Sequence, residues 1–109
     1  MNAMMDSESK YLDFADELDR VRSKNKLNPK VWRALRVIAK CHLKDQPIRI
    51  VDLMQMAEIA SPATIHKIIQ YLIDQDMVAI QSDRHDGRIK YLTPTPRALK
   101  IFRELAAKM

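Results

Sequence analysis

Apolar side chains recur at helical spacing over most of this chain and alternate like a strand only over short stretches. Tyr11, Phe14, Leu18 and Val21 fall 3, 4 and 3 apart, which predicts a helix over Asp6–Lys24 with one apolar stripe. Acidic residues lie early in it, and Arg20, Arg22 and Lys24 lie late, as the helix dipole favours. Asn28-Pro29 pairs a capping side chain with the residue best suited to a first helical position, and Val31, Leu35, Ile38 and His42 then predict a second helix to about Lys44. Pro47 ends it. Ile48 to Ile50 suffices only for a very short strand, and Leu53, Met54 and Ala57 predict a poorly capped third helix over Val51–Glu58.

Ser61-Pro62 repeats the cap-then-proline signature. The segment to Gln75 puts Ile65, Ile68, Ile69, Leu72 and Ile73 on one side and leaves Thr64, His66, Lys67 and Gln70 largely elsewhere. Only Ile59 and Ala60 would then separate the third and fourth helices, a connection short enough to force a sharp angle between them. Met77–Gln81 and Arg88–Thr93 are β-prone runs joined by Ser82–Gly87, where Asp86-Gly87 is expected to supply a positive-φ turn. Thr95-Pro96 opens a last helix aligning Leu99, Phe102, Leu105 or Ala106, and Met109. The expected fold is mainly α, a winged helix-turn-helix with a short β-hairpin wing and flanking terminal helices, forming one domain over residues 1–109.

Composition narrows the function classes. At 109 residues and 47% apolar content, the chain has material for one core and is neither disordered nor low-complexity. No run approaches a membrane span and no signal peptide is visible, so a cytoplasmic protein without a membrane partner is expected. Lone Cys41 excludes an internal disulfide framework, and three dispersed histidines lack zinc-ligand spacing. No metal or cofactor is expected. No nucleophile and base share a recognisable spacing, so enzyme activity is not expected. The net charge of +5 is segregated: residues 1–27 sum to −1, while 28–60 and 61–109 each sum to +3. A compact basic region attracts polyanions, and nucleic acid is the natural partner class.

The polar residues then gain a purpose. Held by its isoleucine face, the fourth helix would offer Thr64, His66, Lys67 and Gln70 to a major groove, where glutamine pairs with adenine and lysine meets guanine edges or phosphates. Ser61 and the free N–H groups behind Pro62 suit a phosphate. Arg84 and His85 at the hairpin tip, with Arg88 and Lys90, would reach neighbouring phosphates or the minor groove.

Ser61-Pro62-Ala63-Thr64-Ile65-His66-Lys67 followed by Leu72, then Asp86-Gly87-Arg88 and Leu92-Thr93-Pro94-Thr95, resembles the MarR-type family of bacterial winged-helix transcription regulators over roughly residues 28–100. The resemblance implies a homodimer on pseudo-palindromic double-stranded DNA, mostly acting in repression, with the recognition helix in the major groove and the wing in the minor groove. It places Ser61, Thr64, His66, Lys67 and Gln70 in that helix and Arg84 and Arg88 in the wing, with Asp86 orienting Arg88. The wing is shorter than the family's, and one last helix of about 14 residues replaces its long dimerisation helices. Whether a small-molecule effector binds is left open.

Other readings stand beside these. Lys67 and Gln70 could form a solvated helix face, and a winged helix can serve as a protein-interaction module without DNA. Arg33, Arg36, Lys40 and Lys44 read as a solvent-facing stripe. Cys41 reads as an inert half-buried thiol, His42 as a core-edge residue and the methionines as core filler. Residues 6–24 and 96–109 carry more apolar surface than a small winged core needs, which predicts dimerisation through the terminal helices.

Overall fold

The computed structural model describes residues 3–109. Its elements run α1 (Ala3–Lys24), α2 (Pro29–Leu43), β1 (Ile48–Arg49), α3 (Ile50–Met54), α4 (Pro62–Asp74), β2 (Val78–Ser82), β3 (Lys90–Pro94) and α5 (Pro96–Ala106). The three strands form an antiparallel sheet in the order β1-β3-β2. Leu92 of the central strand pairs with Ile48 on one side and Ile80 on the other and is fully buried.

Three helices start as the sequence predicts. Asn28, Ser61 and Thr95 each accept a backbone N–H from three residues on, Val31, Thr64 and Ala98 respectively, and each precedes a proline. A cap of this kind contributes about 1 kcal/mol and fixes where the helix begins. The core then assembles from one face of each element: Leu35 and Ile38 of α2, Leu53 of α3, Ile65 and Leu72 of α4, and Met77 and Leu92 around the sheet are all fully buried. Trp32 of α2 and Phe102 of α5 pack with ring centroids 5.3 Å apart, tying the last helix to the core.

Two expectations fail, for identifiable reasons. The third helix is shorter than the predicted Val51–Glu58, so Gln55 to Ser61, and not Ile59 and Ala60 alone, connect α3 to α4. Leu53 and Ile59 are both buried. Six positions apart on a continuous helix they would diverge by about 120°, so the chain leaves the helix and tightens through Met56 N–H to Leu53 C=O (3.1 Å) and Ile59 N–H to Met56 C=O (2.9 Å). Gly87, second, has no positive φ. The strands begin and end slightly later than predicted, at Val78–Ser82 and Lys90–Pro94, and the connection between them is held by side chains.

Positive φ occurs instead at Lys26 (56°), Asp45 (58°) and Asp76 (57°) among the described residues. Each ends a helix in the same way. After α1, Leu27 N–H bonds Arg22 C=O and Lys26 N–H bonds Ser23 C=O; after α2, Gln46 N–H bonds Cys41 C=O and Asp45 N–H bonds His42 C=O; after α4, Met77 N–H bonds Leu72 C=O and Asp76 N–H bonds Ile73 C=O. This paired pattern satisfies helix-end carbonyls and normally uses glycine at the left-handed position. The residue that follows is buried after α1 and α4, Leu27 at 3% and Met77 at 0% exposure, and its burial holds the turn against the strain.

Lysine in the left-handed region costs roughly 1–2 kcal/mol, part of which glycine returns through its greater freedom in the unfolded chain. Lys26→Gly is therefore expected to stabilise the protein by about 0.5–1 kcal/mol. A higher denaturant midpoint at unchanged slope is the expected result; a lower midpoint would show that the Lys26 side chain supplies more than the strain removes.

Candidate nucleic-acid interface

The site is built on α4, whose inward face is Ile65, Ile68, Ile69 and Leu72, all buried. That burial fixes the rotation of the helix and turns His66, Lys67 and Gln70 to solvent, with Thr64 half-buried at the edge. Ser61 is exposed at the amino end. Its hydroxyl accepts the Thr64 N–H at 3.3 Å and donates to the Thr64 hydroxyl at 3.0 Å, so both side chains are engaged in capping. The Thr64 amide is taken by this cap, Pro62 has none, and the Ile65 amide bonds the Ser61 carbonyl at 2.9 Å, so the Ala63 amide is what the first turn leaves without an intrahelical partner.

The hairpin brings the second group of predicted residues together. Strand pairing ends at Ser82 opposite Lys90, and Asp83 N–H bonds Ile89 C=O at 2.9 Å. Beyond it the Asp83 carboxylate accepts the amides of His85 (2.9 Å) and Asp86 (3.0 Å) on one oxygen and the Tyr91 hydroxyl (3.1 Å) on the other. Asp86 in turn accepts the amide of Arg88 and two bonds from its guanidinium, each at 3.1 Å. The carboxylates close the turn that Asp-Gly was expected to make.

Arg84 and His85 are exposed at the tip, and Arg88 is 92% exposed even while paired with Asp86. An exposed pair of this kind adds little stability, but it orients the guanidinium. Lys90 does not join the tip. It lies in β3 with its ammonium on the Ser82 hydroxyl at 2.7 Å.

Two features escaped the sequence reading. Arg33 of α2, exposed like Arg36, Lys40 and Lys44 of the same stripe, donates to the Glu58 carbonyl at 3.0 Å, in the turn leading into α4, so one member of the solvent-facing stripe also holds that turn. Lys26, in the turn before α2, lines an open groove of about 350 Å³ with Thr64, Lys67 and Tyr71 of α4. The Tyr71 hydroxyl donates to the Lys26 carbonyl across 45 positions of the chain, a contact with no local sequence signal. Among the described residues no group of three or more His, Cys, Asp or Glu could hold a metal ion, and no helix is long and apolar enough to cross a membrane.

The amides of His85 and Asp86, with the Tyr91 hydroxyl, hold the Asp83 carboxyl below the usual carboxylate range, and the Arg88 guanidinium, with its amide, does the same for Asp86. A depressed folded pKa stabilises fully above the unfolded value of about 3.9 and is lost as pH falls through the folded value. The wing tip is therefore expected to open before the core on acidification below about pH 4. Amide protection over residues 83–89, relative to the unfolded-chain exchange rate at the same pH, should fall there, and Asp83→Asn should flatten that acid response. Equal protection of the tip at pH 3 and pH 6 would contradict the assignment.

No family model matches the chain. An uncharacterised HTH-type transcriptional regulator of Staphylococcus aureus is 31% identical over 71 residues, 65% of this chain and 45% of the relative; the chain thus spans about half the length of the curated relatives it matches. Among solved structures, a MarR protein from Peptoclostridium difficile is 25% identical with a TM-score of 0.62, over 99% of this chain and 69% of that one. MepR of Staphylococcus aureus, in its DNA complex, shares the fold at a TM-score of 0.69 with 11% identity, over 98% of this chain and 82% of that one. The chain has the winged helix-turn-helix fold of the MarR-type transcriptional regulators and resembles that family in sequence.

Proposed function

We propose that this protein is a sequence-specific double-stranded-DNA-binding transcriptional regulator, acting as a homodimer and in repression. The observation that carries the reading is the division of α4 between a buried isoleucine face and a solvent face of His66, Lys67 and Gln70, beside a wing whose Arg84, His85 and Arg88 are exposed. Such a face suits a major groove, where Gln70 and Lys67 have the chemistry to read base edges, while Ser61, Thr64 and the first turn of α4 suit backbone phosphates. The wing cations suit phosphates or a narrow minor groove. Lys90, held on Ser82, contributes charge near the wing base. Binding and not catalysis is the role, in line with relatives that are transcriptional regulators, and the cytoplasm is where such a protein meets its DNA.

Dimerisation would use the terminal helices. Tyr11 and Leu12 of α1 and Met109 beyond α5 are 68%, 60% and 88% exposed. Phe14, Leu18, Val21 and Phe102 are only partly covered by their own chain, whereas Leu105 is buried within it. A second copy that covers this apolar surface would set two α4 helices toward successive major grooves about 34–36 Å apart. Sedimentation is expected to give twice the 12.7 kDa chain mass at micromolar concentration; a monomer alone would contradict the dimer.

Selection of bound sites from a random duplex library tests the reading, and the expected product is a paired half-site. Lys67→Ala and Gln70→Ala should each weaken binding to that site by about 1–3 kcal/mol where the side chain contacts a base. Arg84→Ala should weaken binding similarly across sequences and lower the salt slope by about one unit. If a folded dimer retains no duplex at low salt, the DNA reading fails and the face serves a protein partner. If the Lys67 and Gln70 variants both bind the selected site as the parent does, α4 does not read it.

A further inference from the structure

The αL turn that ends α1 is gripped from α4. The Tyr71 hydroxyl donates to the Lys26 carbonyl at 2.5 Å, at the residue whose φ is +56°. The turn that ends α4 is gripped likewise: the Thr95 hydroxyl donates to the Asp76 carbonyl at 2.7 Å, and Asp76 has φ +57°. With Arg33 on the Glu58 carbonyl ahead of α4, the helix is held at its start, along its length and at its end by three different parts of the chain. The grips differ in what they join. Arg33 ties the turn ahead of α4 to α2 and Thr95 ties its end to α5, while among the side-chain hydrogen bonds of the described residues Tyr71 is the one that ties it to the end of α1, the long helix that carries the exposed Tyr11 and Leu12.

The turn gripped by Tyr71 is also where α1 changes direction into α2. Asn25 stiffens it by donating its side-chain amide to the Val21 carbonyl at 2.9 Å, and Leu27 anchors its far side in the core. Direct packing between α1 and the rest of the chain is otherwise confined mainly to α5. The angle between α1 and α4 is thus set by the packing of α1 on α5 and by a turn of few residues, which the Tyr71 hydroxyl grips from the α4 side.

We propose that Tyr71 is a positioning residue that sets half-site spacing: its hydroxyl fixes the orientation of α4 relative to α1, and hence the separation of the two recognition helices in the dimer. The inference rests on the DNA reading and on dimerisation through α1. Tyr71 need not touch DNA to act in this way. One base pair moves a half-site by about 3.4 Å along the duplex and rotates it by a tenth of a turn, so a fixed pair of helices discriminates sharply between adjacent spacings and a loosened pair does not.

The test uses the full-length protein and duplexes carrying two copies of the half-site obtained by selection, with the spacer stepped one base pair at a time. The parent is expected to prefer one spacing by about tenfold over its neighbours, and Tyr71→Phe, which removes only the hydroxyl, should reduce that preference to about threefold or less. Leu92→Val, a core change remote from the grip, should keep the parental profile while lowering the thermal midpoint. An unchanged spacing profile in Tyr71→Phe would overturn the proposal, and so would the same flattening in Leu92→Val, which would make it general loosening. A parent that binds the selected half-site but shows no spacing preference would overturn it while leaving the DNA reading intact; a parent that binds no duplex removes both.

Discussion

One-sided burial of α4 is the constraint on which the rest of this structure depends. Ile65, Ile68, Ile69 and Leu72 have almost no exposure, and removing one such side chain from a packed core costs about 2–5 kcal/mol. The helix therefore cannot rotate by even a fraction of a turn without exposing isoleucine. That rigidity gives His66, Lys67 and Gln70 a defined direction, although among the described residues none of the three side chains is held by a hydrogen-bond partner. Orientation of a flexible polar face by a stiff apolar one is inexpensive, because the core must form in any case. It leaves the exposed residues free to be matched to a sequence.

The periphery follows a different logic. The wing has little core of its own: β2 is exposed along most of its length, and its tip is organised by carboxylates that accept backbone amides. Asp83 closes the turn, and Asp86 both accepts the Arg88 amide and pairs with its guanidinium. Their charges offset part of the tip's basic character, and Asp86 pairs directly with Arg88. A hairpin built in this way suits the reading of phosphate position more than the reading of base sequence.

Much of the fold was legible because helix starts are local events. Asn28-Pro29, Ser61-Pro62 and Thr95-Pro96 each mark a helix start, and the isoleucine spacing marks the inner face of α4 without ambiguity. Helix ends were harder. With the chain's one glycine in the wing, the left-handed turns at Lys26, Asp45 and Asp76 carry no residue signature and are stabilised by what packs beyond them. α3 ends earlier than its apolar spacing predicts, because Ala57 continues a spacing that the chain abandons to bury Ile59. In the wing, Asp86-Gly87 suggested a turn made by backbone freedom, whereas side-chain hydrogen bonds make it. For the candidate site, the exposed face of α4 and the wing cations followed from pattern, while the grips of Arg33 and Tyr71 join residues 25 and 45 positions apart and exist only once the helices have packed.

The outer face of α4 and the wing tip are proposed as one DNA-binding surface. Backbone amide mapping by nuclear magnetic resonance, with a selected duplex titrated into the labelled protein, tests it most directly. Perturbations are expected to concentrate in residues 61–70 and 83–90, with the acidic first half of α1 unaffected. Perturbations confined to α1 and α5, with α4 and the wing silent, would contradict it.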